Sequence, residues 1–318
     1  MIKSPKNLKN GTKTMIETLI HKLQKDHFLT LEVAPHASPT LTPLIHSIQS
    51  VGLEKRVDGF VCTDSPLAKL RHSSILATIK LQQSLQKPVI CTLSMRDRNS
   101  LALQGELMGA NEFDVRAILA LTGDAIRLGD QPQAKGVFEG KSTLLLEIIQ
   151  SFNRGIDLQG QPLKSPLRPL YPLAVINSYS QSPESLKKRL RQKIEAGAIG
   201  IVTQPIYDLE VAKTLLGWVH EINQELGTFS ELVLGYFPVV SYRTAHFLYS
   251  KLPGVYIPNE WLSQLEAASK INPEEERRVG LELSRNIWLG LWDFHPKIHF
   301  MSANNTKLAS EILPPPPT

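Results

Sequence analysis

Two stretches, Ala117-Ile118-Leu119-Ala120-Leu121-Thr122-Gly123-Asp124 and Ile199-Gly200-Ile201-Val202-Thr203-Gln204-Pro205, are apolar at consecutive positions and then stop in small and polar residues. A strand without polar alternation has both faces buried, as in a parallel sheet wrapped by helices. The same grammar recurs in Phe28 to Pro35, Val57 to Pro66, Pro88 to Met95, Leu173 to Ser178, Leu232 to Val240 and Lys297 to Met301. That makes eight strand-like runs, with helical periodicity between them. Such alternation predicts an α/β chain closed as a (β/α)8 TIM barrel, in which chemistry gathers at the C-terminal ends of the strands. A doubly wound dinucleotide-binding fold is excluded, because no Gly-x-Gly-x-x-Gly follows the first strand.

The chain has 318 residues, more than the roughly 250 of a typical barrel. The surplus is expected in an N-terminal helix and extra C-terminal helices. Met15, Ile16, Leu19, Ile20 and Leu23 form an apolar stripe through Lys25, suited to closing the barrel bottom or packing on its side. Further helices are expected over 67–85, 101–109, 186–196, 208–226, 242–252, 260–268 and 274–291. Others start at Thr42-Pro43 and behind Ser142 as an N-cap, and a last one ends at Leu313. The organisation expected is a flexible tail over 1–13, one barrel domain over 14–313 and a disordered proline tail over 314–318.

Charge and cysteine content narrow the function classes. The formal charge of +5 comes from 35 basic and 30 acidic residues spread along the chain, which suits an anionic small ligand better than nucleic acid. Two cysteines, Cys62 and Cys91, sit inside strand-like runs, so buried core thiols are expected and no metal site. The start of the chain lacks a signal-peptide segment, and no run reaches the roughly 18 apolar residues of a membrane span. A cytoplasmic protein is expected.

Candidate site residues follow from strand ends. Glu32 is a carboxylate in apolar company, so it either pairs with a neighbouring strand or, desolvated, becomes a general acid. Asp124 and Gln204 end their runs at the rim, and Gly123 lets the backbone approach a planar ligand. The polar loop 125–140 is long enough to be functional. Arg96-Asp97-Arg98-Asn99 reads either as a solvated loop or as an ion-paired corner.

An ordered series of motifs resembles the methylenetetrahydrofolate reductase family, in particular the bacterial branch also found fused to homocysteine methyltransferase domains. It runs through Cys62-Thr63-Asp64-Ser65-Pro66, Met95-Arg96-Asp97-Arg98-Asn99, Leu121-Thr122-Gly123-Asp124, Asn153-Arg154-Gly155-Ile156-Asp157 and Thr203-Gln204-Pro205-Ile206-Tyr207-Asp208. It continues in Pro238-Val239-Val240-Ser241-Tyr242-Arg243, Leu252 to Pro258 and Lys297-Ile298-His299-Phe300-Met301. The resemblance spans about residues 15 to 313.

It implies reduction of 5,10-methylenetetrahydrofolate to 5-methyltetrahydrofolate in one-carbon and methionine metabolism, with NAD(P)H passing a hydride through FAD. It implies Glu32 as proton donor, Asp124 beside pterin and flavin, Gln204 as a folate ligand and Tyr242 as a stacking residue. The flavin contacts implied are Thr63, Thr92, Thr122, Gly123, Asp124, Asn177 and Lys193. Asn177 and Thr92 stand where members often carry histidine, and Thr122 where many carry arginine. These substitutions keep a second reading open: a flavin-free paralogue that binds folate or serves as a subunit of a methyl-transfer complex. An isomerase or aldolase barrel would want a strand-end lysine or a glycine-rich phosphate loop, and neither is present. A homo-oligomer and the choice between NADH and NADPH are left open.

Overall fold

In the computed structural model, which describes residues 14–252 and 254–315, side chains along each strand alternate between two destinations. Phe28, Val61, Ile90, Leu119, Leu173, Val202 and Val233 pack together inside the barrel. Leu31, Phe60, Cys62, Cys91, Ile118, Ile201 and Phe300 pack outward with the helices. Burial on both faces explains why the runs carry no polar alternation. The strands are β1 (Phe28–Val33), β2 (Gly59–Cys62), β3 (Val89–Ser94), β4 (Ala117–Leu121), β5 (Tyr171–Ile176), β6 (Gly200–Pro205), β7 (Glu231–Tyr236) and β8 (Lys297–Phe300). Each pairs in parallel with the next, and β8 returns to β1 with Thr30 opposite His299, so the predicted (β/α)8 barrel is closed.

The N-terminal helix α1 (Met15–Lys25) plugs the bottom rather than lying on the side. Its Ile16, Leu19, Ile20 and Leu23 are buried in the same cluster as the inward-facing strand residues. Each such side chain contributes about 1.5–3 kcal/mol of apolar burial. Thr14 and Glu17 form a reciprocal capping box at the start of α1. The buried Arg116 binds Asp114 at 2.7 Å, Thr14 Oγ1 at 2.7 Å and Glu17 at 3.3 Å, which ties the plug to the base of β4.

Around the barrel lie α2 (Thr42–Ser50), α3 (Ser74–Leu85), α4 (Ser100–Glu112), α5 (Ser142–Asn153), α6 (Pro183–Glu195), α7 (Leu209–Leu226) and α8 (Tyr242–Lys251). The expected extra C-terminal helices are α9 (Asn259–Ser269), α10 (Pro273–Phe294) and α11 (Thr306–Ile312). Two local expectations change. The helix expected from Leu67 starts only at Ser74, because Ser73 caps it and Ser65, Leu67 and Ala68 take left-handed conformations in a short turn before it. Arg71 and His72 therefore precede the helix. Ser142 is not the N-cap of α5 but its first residue, and its own N–H donates to Thr122 Oγ1 at 3.1 Å.

Both cysteines are free and fully buried. Burial pushes the Cys91 thiol up to about 12 and raises that of Cys62, so both are inert core groups. Among the described residues no helix is long and apolar enough to cross a membrane. The tail 1–13, Pro253 of the connector and residues 316–318 of the proline tail lie outside the described residues.

Candidate active site

The C-terminal ends of the strands surround a cavity of about 480 Å³. Its floor is apolar, built from the inward-facing Val61, Leu119, Val175 and Val202. Its wall carries Glu32, Thr63, Thr92, Thr122, Gly123, Asp124, Lys193 and Gln204. The strand ends thus bring eight of the ten residues singled out in the sequence to one space.

Three backbone features set this geometry. Gly123 sits at φ +97°, and a Cβ there would lie 2.6 Å from Arg96 Cβ, so only glycine lets β4 turn into the rim so closely over β3. At β6 the register with β7 shifts between Val202 and Pro205. Thr203 Oγ1 accepts the Gly235 N–H at 2.7 Å, and a Cβ on Gly235 would meet Thr203 O at 2.1 Å. This bulge presents Gln204 to the cavity, where its amide makes no hydrogen bond within the described residues.

The Arg96 to Asn99 motif is an ion-paired corner. Arg98 binds Asp64 at 2.7 Å and Glu106 at 2.7 Å, while Ser94 donates both its N–H and its hydroxyl to Asp64 at 3.0 Å. Buried Arg96 binds Asp97 and the Ser65 carbonyl. Asp64 is thereby spent on structure although it lines the cavity. Asp124 accepts the Leu67 N–H at 2.7 Å and Asp130 accepts that of Leu70 at 2.9 Å, so the loop after β4 grips the loop after β2.

The remaining wall residues differ in how well they are satisfied. Thr63 Oγ1 and Thr92 Oγ1 are buried without a hydrogen-bond partner among the described residues. Such orphaned hydroxyls cost about 1–3 kcal/mol each unless a ligand or water meets them. The Lys193 ammonium donates to Ser142 Oγ at 2.7 Å and has no carboxylate partner among the described residues; burial, reinforced by Arg189, pulls it down to about 8. Glu32 is a quarter exposed, and its Oε2 lies 3.8 Å from His299 Nε2.

Residues 16–315 match the family model described as methylenetetrahydrofolate reductase. The chain belongs to that family. Solved structures share the fold at low identity. One is an uncharacterized protein from Clostridium thermocellum that binds two copies of 5-methyl-5,6,7,8-tetrahydrofolic acid, with 16% identity, a TM-score of 0.62, and coverage of 92% of this chain and 98% of that one. DmoA from Hyphomicrobium sulfonivorans follows at 9% identity and a TM-score of 0.55, over 91% and 86% of the two chains. EDTA monooxygenase (EmoA) from Chelativorans sp. BNC1 has 10% identity and a TM-score of 0.53, over 90% and 91%.

Set against what membership in this family implied for single residues, Asn177 and Tyr242 stand apart from the cavity wall. Asn177 lies under Gly254 of the connector, whose carbonyl accepts the Ser178 and Tyr179 N–H groups at 3.0 Å. Tyr242 opens α8, with its N–H held by Glu276 at 2.8 Å and its ring against His246. The aromatic surface in the cavity comes instead from Phe237 and Phe247. Residue-by-residue reading passed over these two and His299. Phe247 lies five residues beyond Tyr242 on α8, about 140° around the helix, so spacing from Tyr242 did not point to it; Phe237 and His299 are visible only as strand residues.

Proposed function

We propose that this chain reduces 5,10-methylenetetrahydrofolate to 5-methyltetrahydrofolate, with NAD(P)H as reductant and FAD as hydride carrier. The observation that carries this reading is that Glu32, Asp124 and Gln204, from three separate strand ends, line one cavity in a chain of this family. The residues present suit a flavin. Among the described residues, Thr63 and Thr92 hold buried hydroxyls that lack partners, Gly123 brings the backbone close to the cavity, and Lys193 offers a cation free of carboxylates. These four, with Thr122 and Asp124, would hold it, and when bound it supplies hydride carriage between a nicotinamide and the folate one-carbon unit.

The chain's own groups do the rest. Glu32 holds the proton that a folate nitrogen takes up as the methylene bridge opens. Asp124 has one oxygen occupied by the Leu67 amide, which leaves Oδ1 to accept from the guanidine-like edge of the pterin and to offset developing positive charge. Gln204 has both its amide donor and its acceptor free for the same ring system. The apolar floor excludes water beneath the reacting atoms.

The visible spectrum of the purified protein tests this reading. A flavin band that bleaches with NADH under anaerobic conditions and returns on adding methylenetetrahydrofolate is the expected result. A second reading, a flavin-free folate-binding protein, is favoured by one feature: Thr122, Ser142 and Lys193 already satisfy one another on the flavin side. A colourless protein that takes up no added FAD but binds methyltetrahydrofolate would establish that alternative.

A further inference from the structure

Across the seam where β8 closes on β1, Thr30, His299 and Glu32 stand in a row. His299 is 3% exposed. Its Nδ1 lies 3.0 Å from Thr30 Oγ1, and its Nε2 lies 3.8 Å from Glu32 Oε2. The Thr30 hydroxyl is buried and meets no other partner among the described residues, so the arrangement that satisfies it sends its proton to Nδ1. In that arrangement the ring carries its own proton on Nε2, the nitrogen that faces Glu32.

We propose that His299 is a positioning residue for Glu32. Its Nε2–H engages Oε2, leaves Oε1 for the folate nitrogen and stabilises the carboxylate that remains once the proton has left. The inference rests on the reading of Glu32 as the proton donor. In the step itself the O–H bond of Glu32 breaks, an N–H bond forms on folate, and the histidine keeps its proton throughout. A turn of the Glu32 side chain closes the 3.8 Å gap, as catalytic hydrogen bonds tighten on substrate binding. Nothing competes for the ring: Glu32 is its only carboxylate contact among the described residues, and Lys297 on the same strand is paired with Glu231. The other charges of the cavity are Asp64 and Arg96, each paired, together with Asp124 and Lys193.

Two variants and one spectroscopic measurement test the inference. In His299→Phe, folate reduction relative to NAD(P)H oxidation by an artificial acceptor is expected to fall about ten- to a hundredfold, the worth of one hydrogen bond to a charged group. The alkaline limb of the folate half-reaction, where the acid loses its proton, should move to higher pH, because the carboxylate has lost its donor. His299→Gln, whose amide N–H can replace Nε2–H, should recover much of the rate. An unchanged ratio and an unchanged pH limb in His299→Phe would overturn the proposal. Ring ¹⁵N NMR of the unliganded protein reads the pair without turnover: the expected result is an Nε2–H tautomer whose titration midpoint drops in Glu32→Gln. An Nδ1–H tautomer, or a midpoint indifferent to Glu32→Gln, overturns the pairing. A coupled midpoint in a protein that reduces no folate supports the pairing and overturns the reading of Glu32 as proton donor.

Discussion

At the bottom of the barrel Arg116 is buried with every guanidinium nitrogen occupied, by Asp114, Glu17, Thr14 and the Pro169 carbonyl, under a helix that fills the opening with leucine and isoleucine. At the top, among the described residues, Thr63 and Thr92 are buried with hydroxyls that meet nothing, Gln204 has an idle amide, and Lys193 is a cation without an anion. Both ends are made by the same eight strands. A buried polar group that is fully satisfied stabilises the fold, whereas one left open costs stability and is worth that cost only where a ligand completes it. The contrast therefore separates the end that holds the chain together from the end left open to a ligand.

The comparison can be broken by substitution at either end. The largest effect is expected in Glu32→Gln, which removes the proposed acid: folate reduction should fall about 10²- to 10⁴-fold, far more than acceptor-linked NAD(P)H oxidation, in a half-reaction assay. Equal loss of both would make Glu32 a structural carboxylate. Next comes the bottom, where Arg116→Met takes the shared cation from Asp114 and Glu17 and leaves Asp114 to Arg168 at 3.1 Å. Urea unfolding should show a loss of about 2–4 kcal/mol, below that for a wholly buried pair because both carboxylates reach solvent. Its turnover per folded molecule should stay near that of the wild type.

Lys193 sharpens the contrast through pH. Its folded value of about 8 lies below the ordinary 10.5, so between those limits the unfolded chain carries the extra proton. Stability of the wild type should then rise with pH across that window. Lys193→Met is expected to melt above the wild type at pH 7 and to lose that advantage as the pH approaches the upper limit; parallel melting curves would show that Lys193 is not desolvated. The smallest effect is expected in Thr92→Val, which should leave stability unchanged or raise it by up to about 1 kcal/mol, since no hydrogen bond is lost. Its cost should appear in FAD titration as an affinity loss of about tenfold or less. A lower melting temperature would mean that a buried water already satisfies the hydroxyl.

How much of this was legible from the residues depends on the range of the interaction. The barrel was legible because burial on both faces writes itself into consecutive positions, as in Ala117 to Leu121 and Gly200 to Val202. Glu32, Asp124 and Gln204 were legible because each interrupts such a run at a strand end. The start of α3 was not, because the Leu67 to Leu85 pattern is helical throughout and the interruption comes from Asp124, 57 residues away in sequence. Whether the Arg96 to Asn99 corner was solvated or paired turned on Asp64, which the sequence places on a different strand end.

The sequence alone determined the architecture, the family and the set of polar residues available at the strand ends, since periodicity and local residue type encode which faces are buried. Only the tertiary structure decided which of those residues are spent and which are open. Asp64 and Asp124 look equivalent in sequence, yet one is consumed by Arg98 and Ser94 while the other keeps an oxygen for a ligand. Tyr242 yields its place at the cavity to Phe237 and Phe247, and Thr30 faces His299 across the closing seam. Partners separated by tens to hundreds of residues meet only when the sheet closes, so satisfaction of a polar group is a property of the closed barrel and not of the local chain.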